Sequence, residues 1–307
     1  MTVDVIIPVY KPGQELAVLL KALDTQSVKA GNIILVNTKK AYFDAFLQTY
    51  GADCLPSNVK LFHIAEEEFD HGATRHWATE QSQADYFLCM TQDAIPKDAH
   101  LIENLLSYME GKVAVAYARQ LATEDSGILE QVSRRFNYPE ESRIKSEKDL
   151  EQLGIKTFFC SNVCALYDKA VYHSLGGFVR KTIFNEDMIY ASKAIKAGYS
   201  IAYAADACVY HSHQYSYVQQ FRRNFDLGVS QAQYPEVFAS VKSESEGKKL
   251  VSYATRELRA QGKAKKLPDF YMQCISKYAG YLLGKHYQKL PRKFIRKCTS
   301  NTRYWTE

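Results

Sequence analysis

The sequence predicts an α/β fold, with a mostly parallel central sheet flanked by helices and a basic helical appendage at its C-terminal end. Three observations carry this. Short β-branched runs alternate with helical stripes through the first ninety residues, and such alternation builds a parallel sheet covered on both faces. The chemistry-bearing polar clusters fall directly after strands, where sheets of this kind bind ligands. From Lys242 onward there are 16 basic and 5 acidic residues, whereas 1–241 carries 23 basic and 29 acidic ones.

The elements follow in order. Val3 to Val9 is a strand closed by the turn Lys11-Pro12-Gly13. Leu16, Leu19, Leu20 and Leu23 then form the one-sided stripe of a helix. Ile33 to Val36 is a second strand, 41–49 a helix, Val59 to Ile64 a third strand, Thr74 to Gln83 a helix, and Tyr86 to Met90 a buried strand. The middle is less regular. Val113 to Ala118 reads as a strand, 126–152 as a polar helix-prone excursion, and Phe158 to Tyr167 as another strand. A turn at Gly176-Gly177-Phe178 precedes a helix through Met188, Ala191 and Ile195, and then a strand from Ile201 to Tyr210. Ser243 to Lys249 reads as a linker, dividing a body of 1–241 from a segment of 242–307.

That last segment holds a stripe of Ile275, Tyr278, Ala279, Leu282 and Leu283, flanked by Lys277, Lys285, Lys289, Arg292, Lys293, Arg296 and Lys297. A basic amphipathic helix is the pattern of a membrane-surface segment; the alternative is a stripe packed on the body beneath solvated charges. Lipid, a partner subunit and a second copy of the chain are all candidate occupants.

Composition narrows the function. The chain is 46% hydrophobic and 24% charged, ordinary for a folded protein. It has no run of eighteen apolar residues and no basic-then-apolar leader, so a cytoplasmic protein, peripheral at the inner face of the plasma membrane, is expected. Seven cysteines without a C-x-x-C pair fit a reducing compartment and small core residues. No G-x-G-x-x-G follows the first strand, which disfavours an NAD-dependent dehydrogenase. The tail lacks the interleaved aromatic and basic platform of a strand binder, so no nucleic acid is expected.

Three clusters follow strands. Thr91-Gln92-Asp93 offers a carboxylate that suits a divalent cation, or equally a turn or helix cap. Asn185-Glu186-Asp187 opens a helix, either as dipole-favoured capping or as a general base. His211-Ser212-His213 puts two imidazoles on one side of a strand end, as metal ligands or as hydrogen-bonded surface residues.

Together with Ile6-Ile7-Pro8-Val9-Tyr10, Asp70-His71-Gly72-Ala73-Thr74-Arg75 and Gly176-Gly177-Phe178, these clusters occur in an order that resembles a family 2 glycosyltransferase with the GT-A fold, over about residues 3–230. Phe69 to Gly72, Thr91 to Ala94, Phe159 to Asn162 and Tyr210 to His213 look most like bacterial rhamnosyltransferases. The resemblance implies an inverting, non-processive transfer from a nucleotide-sugar donor, best dTDP-β-L-rhamnose, to a lipid-linked saccharide in cell-wall or surface polysaccharide synthesis. A UDP-hexose, UDP-N-acetylhexosamine or UDP-galactofuranose donor is the alternative, and a non-catalytic nucleotide or nucleic-acid binder is the reading from another class.

By the same resemblance, Pro8, Val9, Tyr10 and Asn37 border the base and ribose, Asp70 contacts the base, and Gly72, Arg75, Gln92 and Asp93 reach the rest of the nucleotide. Arg75 would pair with phosphate, and Arg222 and Arg223 would reach the leaving diphosphate. Asp93, His211 and His213 would hold Mg²⁺ or Mn²⁺. Asp187 would be the catalytic base, with Glu186 near the acceptor. Thr91 stands where the family's first metal-motif Asp is expected, and Asn37 where an Asp is usual.

Overall fold

A computed structural model describes residues 1–239 and 244–305. The chain runs through β1 (Val3–Tyr10), α1 (Gln14–Asp24), β2 (Ile33–Thr38), α2 (Lys40–Tyr50), β3 (Val59–Ile64), α3 (His71–Glu80), β4 (Tyr86–Met90), β5 (Ile95–Pro96), α4 (Leu101–Ser107) and β6 (Val113–Leu121). It continues through α5 (Ile128–Asn137), β7 (Arg143–Lys145), α6 (Leu150–Leu153), β8 (Cys164–Asp168), α7 (Lys169–Ser174), α8 (Glu186–Lys196) and β9 (Ser200–Tyr210). Five helices close it: α9 (Tyr217–Gln233), α10 (Pro235–Phe238), α11 (Glu244–Ala260), α12 (Leu267–Lys285) and α13 (Arg292–Cys298).

The strands form one sheet in the order β3-β2-β1-β4-β8-β6-β9-β5, with β7 also on β9. The first four are parallel, as the alternation predicts. The other half is mixed, because β8 runs against both β4 and β6 while β9 runs with β6. The pleat divides the core. Ile7 joins Leu16, Leu20 and Leu88 on one face, and Ile6 joins Phe87, Tyr167 and Tyr190 on the other.

Two expected elements differ. Phe158 to Tyr167 is a strand only from Cys164; Gly154–Phe158 is a 3-10 turn and the residues between are a loop. Side chains hold that backbone in place of a ladder. The buried Lys145 ammonium donates to the carbonyls of Lys156 and Phe159, and the Asn162 N–H donates to Asp187. Residues 244–249, expected to be a linker, begin α11, while Ser243 lies outside the described residues. Farther along, Ala254 and Leu258 of α11 are buried with Leu129 and Val132 of α5.

The α9–α12 contact joins the C-terminal segment to the body. A Cβ at Gly280 would fall 2.1 Å from the Phe221 carbonyl oxygen, one at Gly284 2.0 Å from that of Phe225, and one at Gly228 2.3 Å from that of Tyr281. Three glycines thus let two backbones touch. The stripe read from the sequence lies largely elsewhere on α12: Ile275 is 59% and Tyr278 53% exposed. Among the described residues no helix is long and apolar enough to cross a membrane. All seven cysteines are free, and five of them are buried.

Candidate active site

The pairing of β5 with β9 brings the first site together. Ile95, two residues after Asp93, lies opposite Tyr210, one residue before His211. The Asp93 carboxylate therefore meets two imidazoles, with Oδ1 3.6 Å from His211 Nε2 and Oδ2 3.3 Å from His213 Nε2. The two Nε2 atoms are 2.9 Å apart. Among the described residues this is the one group of three His, Cys, Asp or Glu side chains whose donor atoms converge as a metal site requires.

The His211 ring is oriented from behind. Arg134 donates to Gln120 Oε1, which fixes that atom as an acceptor, and His211 Nδ1 lies 2.9 Å from it. The proton therefore sits on Nδ1, and the Nε2 lone pair points toward Asp93 and His213. The 3.3 Å approach of Arg134 Nη2 to the same Nδ1 is then between two donors and is the weaker contact. Burial pulls the His211 ring down to about 3, against the Asp93 charge, so the imidazole is neutral as a ligand must be. One carboxylate and two neutral imidazoles fit a divalent transition-type cation.

The second site is built by the loop before β8 and the first turn of α8. Asp187 is half-buried; its Oδ2 accepts from the Asn162 N–H at 2.9 Å and its Oδ1 from the Met188 N–H at 2.8 Å. Burial, then the neighbouring Glu186 charge, pushes its carboxyl up to about 7. Glu186 behaves in the opposite way. Burial is the largest single influence and works against its charge, but Arg75 Nη1 at 3.1 Å, His71 and Asn162 Nδ2 at 3.0 Å together outweigh it, and the net shift is downward. The two sites are linked, since Gln120 Nε2 donates to Ser161 Oγ at 3.0 Å, next to Asn162.

Several of the expected site residues are engaged by other parts of the protein. Arg75 is buried against Glu186, so its guanidinium is not presented to a phosphate, and Glu186 in turn is not open to an acceptor. Asp70 uses Oδ1 of its carboxylate to cap α3 through Gly72 and Ala73, and its Oδ2 accepts from the Thr182 N–H. Gly72 is a packing residue, because a Cβ there would fall 1.8 Å from the Val179 carbonyl oxygen. The Val9 side chain is buried in the core. Asn37 is wholly buried, donates to the Lys39 carbonyl, and lies 3.0 Å from His63 Nδ1.

Pro8 and Tyr10 do lie at the open end of β1. Gln92 clasps the Tyr10 backbone from both sides, donating to its carbonyl and accepting from its N–H, and so fixes the strand end beside Asp93. Of the two arginines, Arg223 stacks on Tyr215 with 4.8 Å to the ring centroid, and Tyr215 stacks on His213. Arg222 is exposed, and its charge is felt by Cys298 of α13. Gln120, Arg134 and Asn162 were not named as site residues from the sequence. Only Asn162 lies in a quoted motif, and nothing in the sequence reports which side chain will back a histidine.

A metal-type cluster linked through Gln120 and Ser161 to the loop that holds a raised carboxyl fits group transfer, and comparison with known proteins identifies the family. The profile of glycosyl transferase family 2 matches residues 4–176. The chain belongs to that family. It is 35% identical to the O-antigen chain rhamnosyltransferase RfbN of Salmonella typhimurium, over 99% of this chain and 96% of that one. It is 39% identical to the O-antigen chain rhamnosyltransferase WbaN of Salmonella anatum, over 79% and 78%. Among solved structures it is similar in fold to the mannosyltransferase PcManGT of Pyrobaculum calidifontis in complex with GDP-Man and Mn²⁺, at TM-score 0.59, 14% identity and coverages of 94% and 88%. Residues 1–349 of S. aureus TarS give TM-score 0.55, 14% identity and coverages of 94% and 91%. As a family 2 member of the GT-A-like fold, the chain is a glycosyltransferase.

Proposed function

We propose that this glycosyltransferase moves L-rhamnose from dTDP-β-L-rhamnose to a saccharide acceptor on a lipid carrier, once or a few times per acceptor, in surface polysaccharide synthesis. The two Salmonella relatives, named for rhamnosyl transfer to O-antigen and aligned over most of their length, support the sugar. The observation that carries the mechanism is the Asp93–His211–His213 cluster, linked through Gln120 and Ser161 to the loop that holds Asp187.

Asp187 accepts the proton of the acceptor hydroxyl as that oxygen attacks the anomeric carbon. The bond from that carbon to the diphosphate breaks on the opposite side, dTDP leaves, and β becomes α. The raised carboxyl suits a base working near neutrality. Asn162 holds one oxygen of the base and Arg75 neutralises Glu186 beside it, so a second charge does not compete for the proton. Asp93, His211 and His213 would hold a divalent cation, which supplies charge stabilisation to the leaving diphosphate. Two imidazoles with one carboxylate suit Mn²⁺ better than Mg²⁺, which prefers oxygen ligands.

The 242–307 segment is assigned to the cytoplasmic face of the membrane. Tyr271, Met272, Ile275 and Tyr278 present an exposed apolar face on α12, and Phe294 is exposed among the Lys and Arg residues of α13. The deciding experiment is a nucleoside-diphosphate release assay with dTDP- and UDP-sugars, with Mn²⁺ or EDTA, and with and without a lipid-linked saccharide. Release from dTDP-rhamnose, acceptor-stimulated and lost in EDTA, is the expected result. Release from a UDP-sugar alone overturns the donor, and no release with any donor and acceptor overturns the transfer.

A further inference from the structure

The appendage also reaches the catalytic end of the body. A cavity of about 590 Å³ opens beside the metal-type cluster, with His213, Tyr215 and Arg223 on one side and Gln273 and Lys277 of α12 on the other. Three acids line it, Asp125, Glu130 and Asp269, and Oε2 of Glu130 is buried there without a hydrogen bond. Glu130 lies 3.6 Å from Arg134 and accepts the His213 N–H at 3.0 Å, and Asp269 accepts from Tyr217. Three lining cations, Arg223, Lys277 and the exposed Lys266, have no carboxylate within ion-pair distance among the described residues. Arg223 stacks on Phe184 and Tyr215 and has no carboxylate among the described residues. Lys277 is half-buried and has no hydrogen bond or ion pair among the described residues. Burial pulls its ammonium below the usual lysine range, with Glu130 acting from α5 in its favour and Arg134 against it.

An ammonium drawn from water without a partner is costly unless something anionic meets it. The packing that puts it there is strict, since Gly280 and Gly284, one turn and two turns beyond Lys277, press α12 against the backbone of α9. We propose that Lys277, with Arg223, forms a diphosphate subsite, so that the C-terminal segment completes the donor site as well as facing the membrane. The diphosphate is that of the departing nucleotide, because His213 belongs both to this cavity and to the metal-type cluster. This deepens the transferase reading and rests on it for the source of the diphosphate, whereas the anion site itself does not.

The test is calorimetric titration of the full chain with inorganic pyrophosphate, dTDP and farnesyl diphosphate, in parallel with the release assay. Lys277→Gln is expected to weaken pyrophosphate and dTDP by about tenfold or more, the scale of one lost charged hydrogen bond. Lys277→Arg should retain most of the affinity, and Lys285→Gln on the same helix should bind as the wild type does. Lys277→Met serves if the glutamine variant melts early. Pyrophosphate and dTDP affinities within twofold of wild type in both neutral variants would overturn the subsite. Loss of farnesyl diphosphate binding with dTDP intact would overturn its assignment to the donor. Lys277-dependent pyrophosphate binding by a wild-type protein that releases no nucleoside diphosphate would leave the subsite standing and remove the transferase reading instead.

Discussion

Arg75 Nη1 lies 3.1 Å from Glu186 Oε1, with each side chain only 7% exposed. This ion pair joins α3 to the first turn of α8 and decides which of two adjacent carboxylates is free to act. Glu186 is held ionised and occupied, so Asp187 is left with the raised carboxyl.

Breaking that pair from one side leaves a buried charge uncompensated. Arg75→Met is expected to cost about 3 kcal/mol or more in urea unfolding, and Arg75→Met with Glu186→Gln to recover much of it. If the single variant is as stable as wild type, the pair contributes nothing to the fold.

The rate should depend on pH through Asp187. As a base it must be unprotonated, and its carboxyl is raised to about 7, so kcat should climb as pH rises through about 7 and level off above it. Asp187→Asn should lower kcat by about 10²–10⁴ and leave dTDP binding intact. A flat profile from pH 5 to 9 with chemistry rate-limiting would remove Asp187 from the role.

Gln120 holds the His211 proton on Nδ1. Gln120→Leu should weaken Mn²⁺ binding by about 10–100-fold, read by the free Mn²⁺ signal in electron paramagnetic resonance. An unchanged affinity would mean that the ring orients itself without this contact.

The glycine seam can be tested by size. Gly284→Leu puts side-chain atoms where the Phe225 carbonyl already stands, and should lower stability by about 3 kcal/mol or shift α12 off α9. Tryptic release of the C-terminal segment would report the shift, and resistance equal to wild type would argue against the seam.

On membranes, Ile275→Asp with Tyr278→Asp should abolish sedimentation with vesicles of anionic lipid, since both side chains are more than half exposed in the present fold. Release of nucleoside diphosphate without a lipid acceptor should be unchanged. Co-sedimentation that survives the double substitution would assign membrane binding to charge alone.

Much of this protein was legible in its sequence. Strand and helix periods fixed the order of β1 to β4, because local side-chain alternation depends only on which face is buried. The grouping of Asp93, His211 and His213 was legible because carboxylates and imidazoles placed just after strands carry their chemistry in their type. The contacts of Asp70, Gly72, Arg75 and Glu186 were not. Each meets a partner far away in sequence: Thr182, Val179, Glu186 and Arg75.

The α12 stripe shows the same division. The sequence determined that one side of this helix is apolar and its flanks basic. Only the tertiary structure decided that the helix packs through Gly280 and Gly284, leaving Ile275 and Tyr278 outside and turning Lys277 toward the catalytic cavity. A hydrophobic period is local and readable along the chain, but how closely two backbones approach depends on both surfaces at once, and no single segment encodes it.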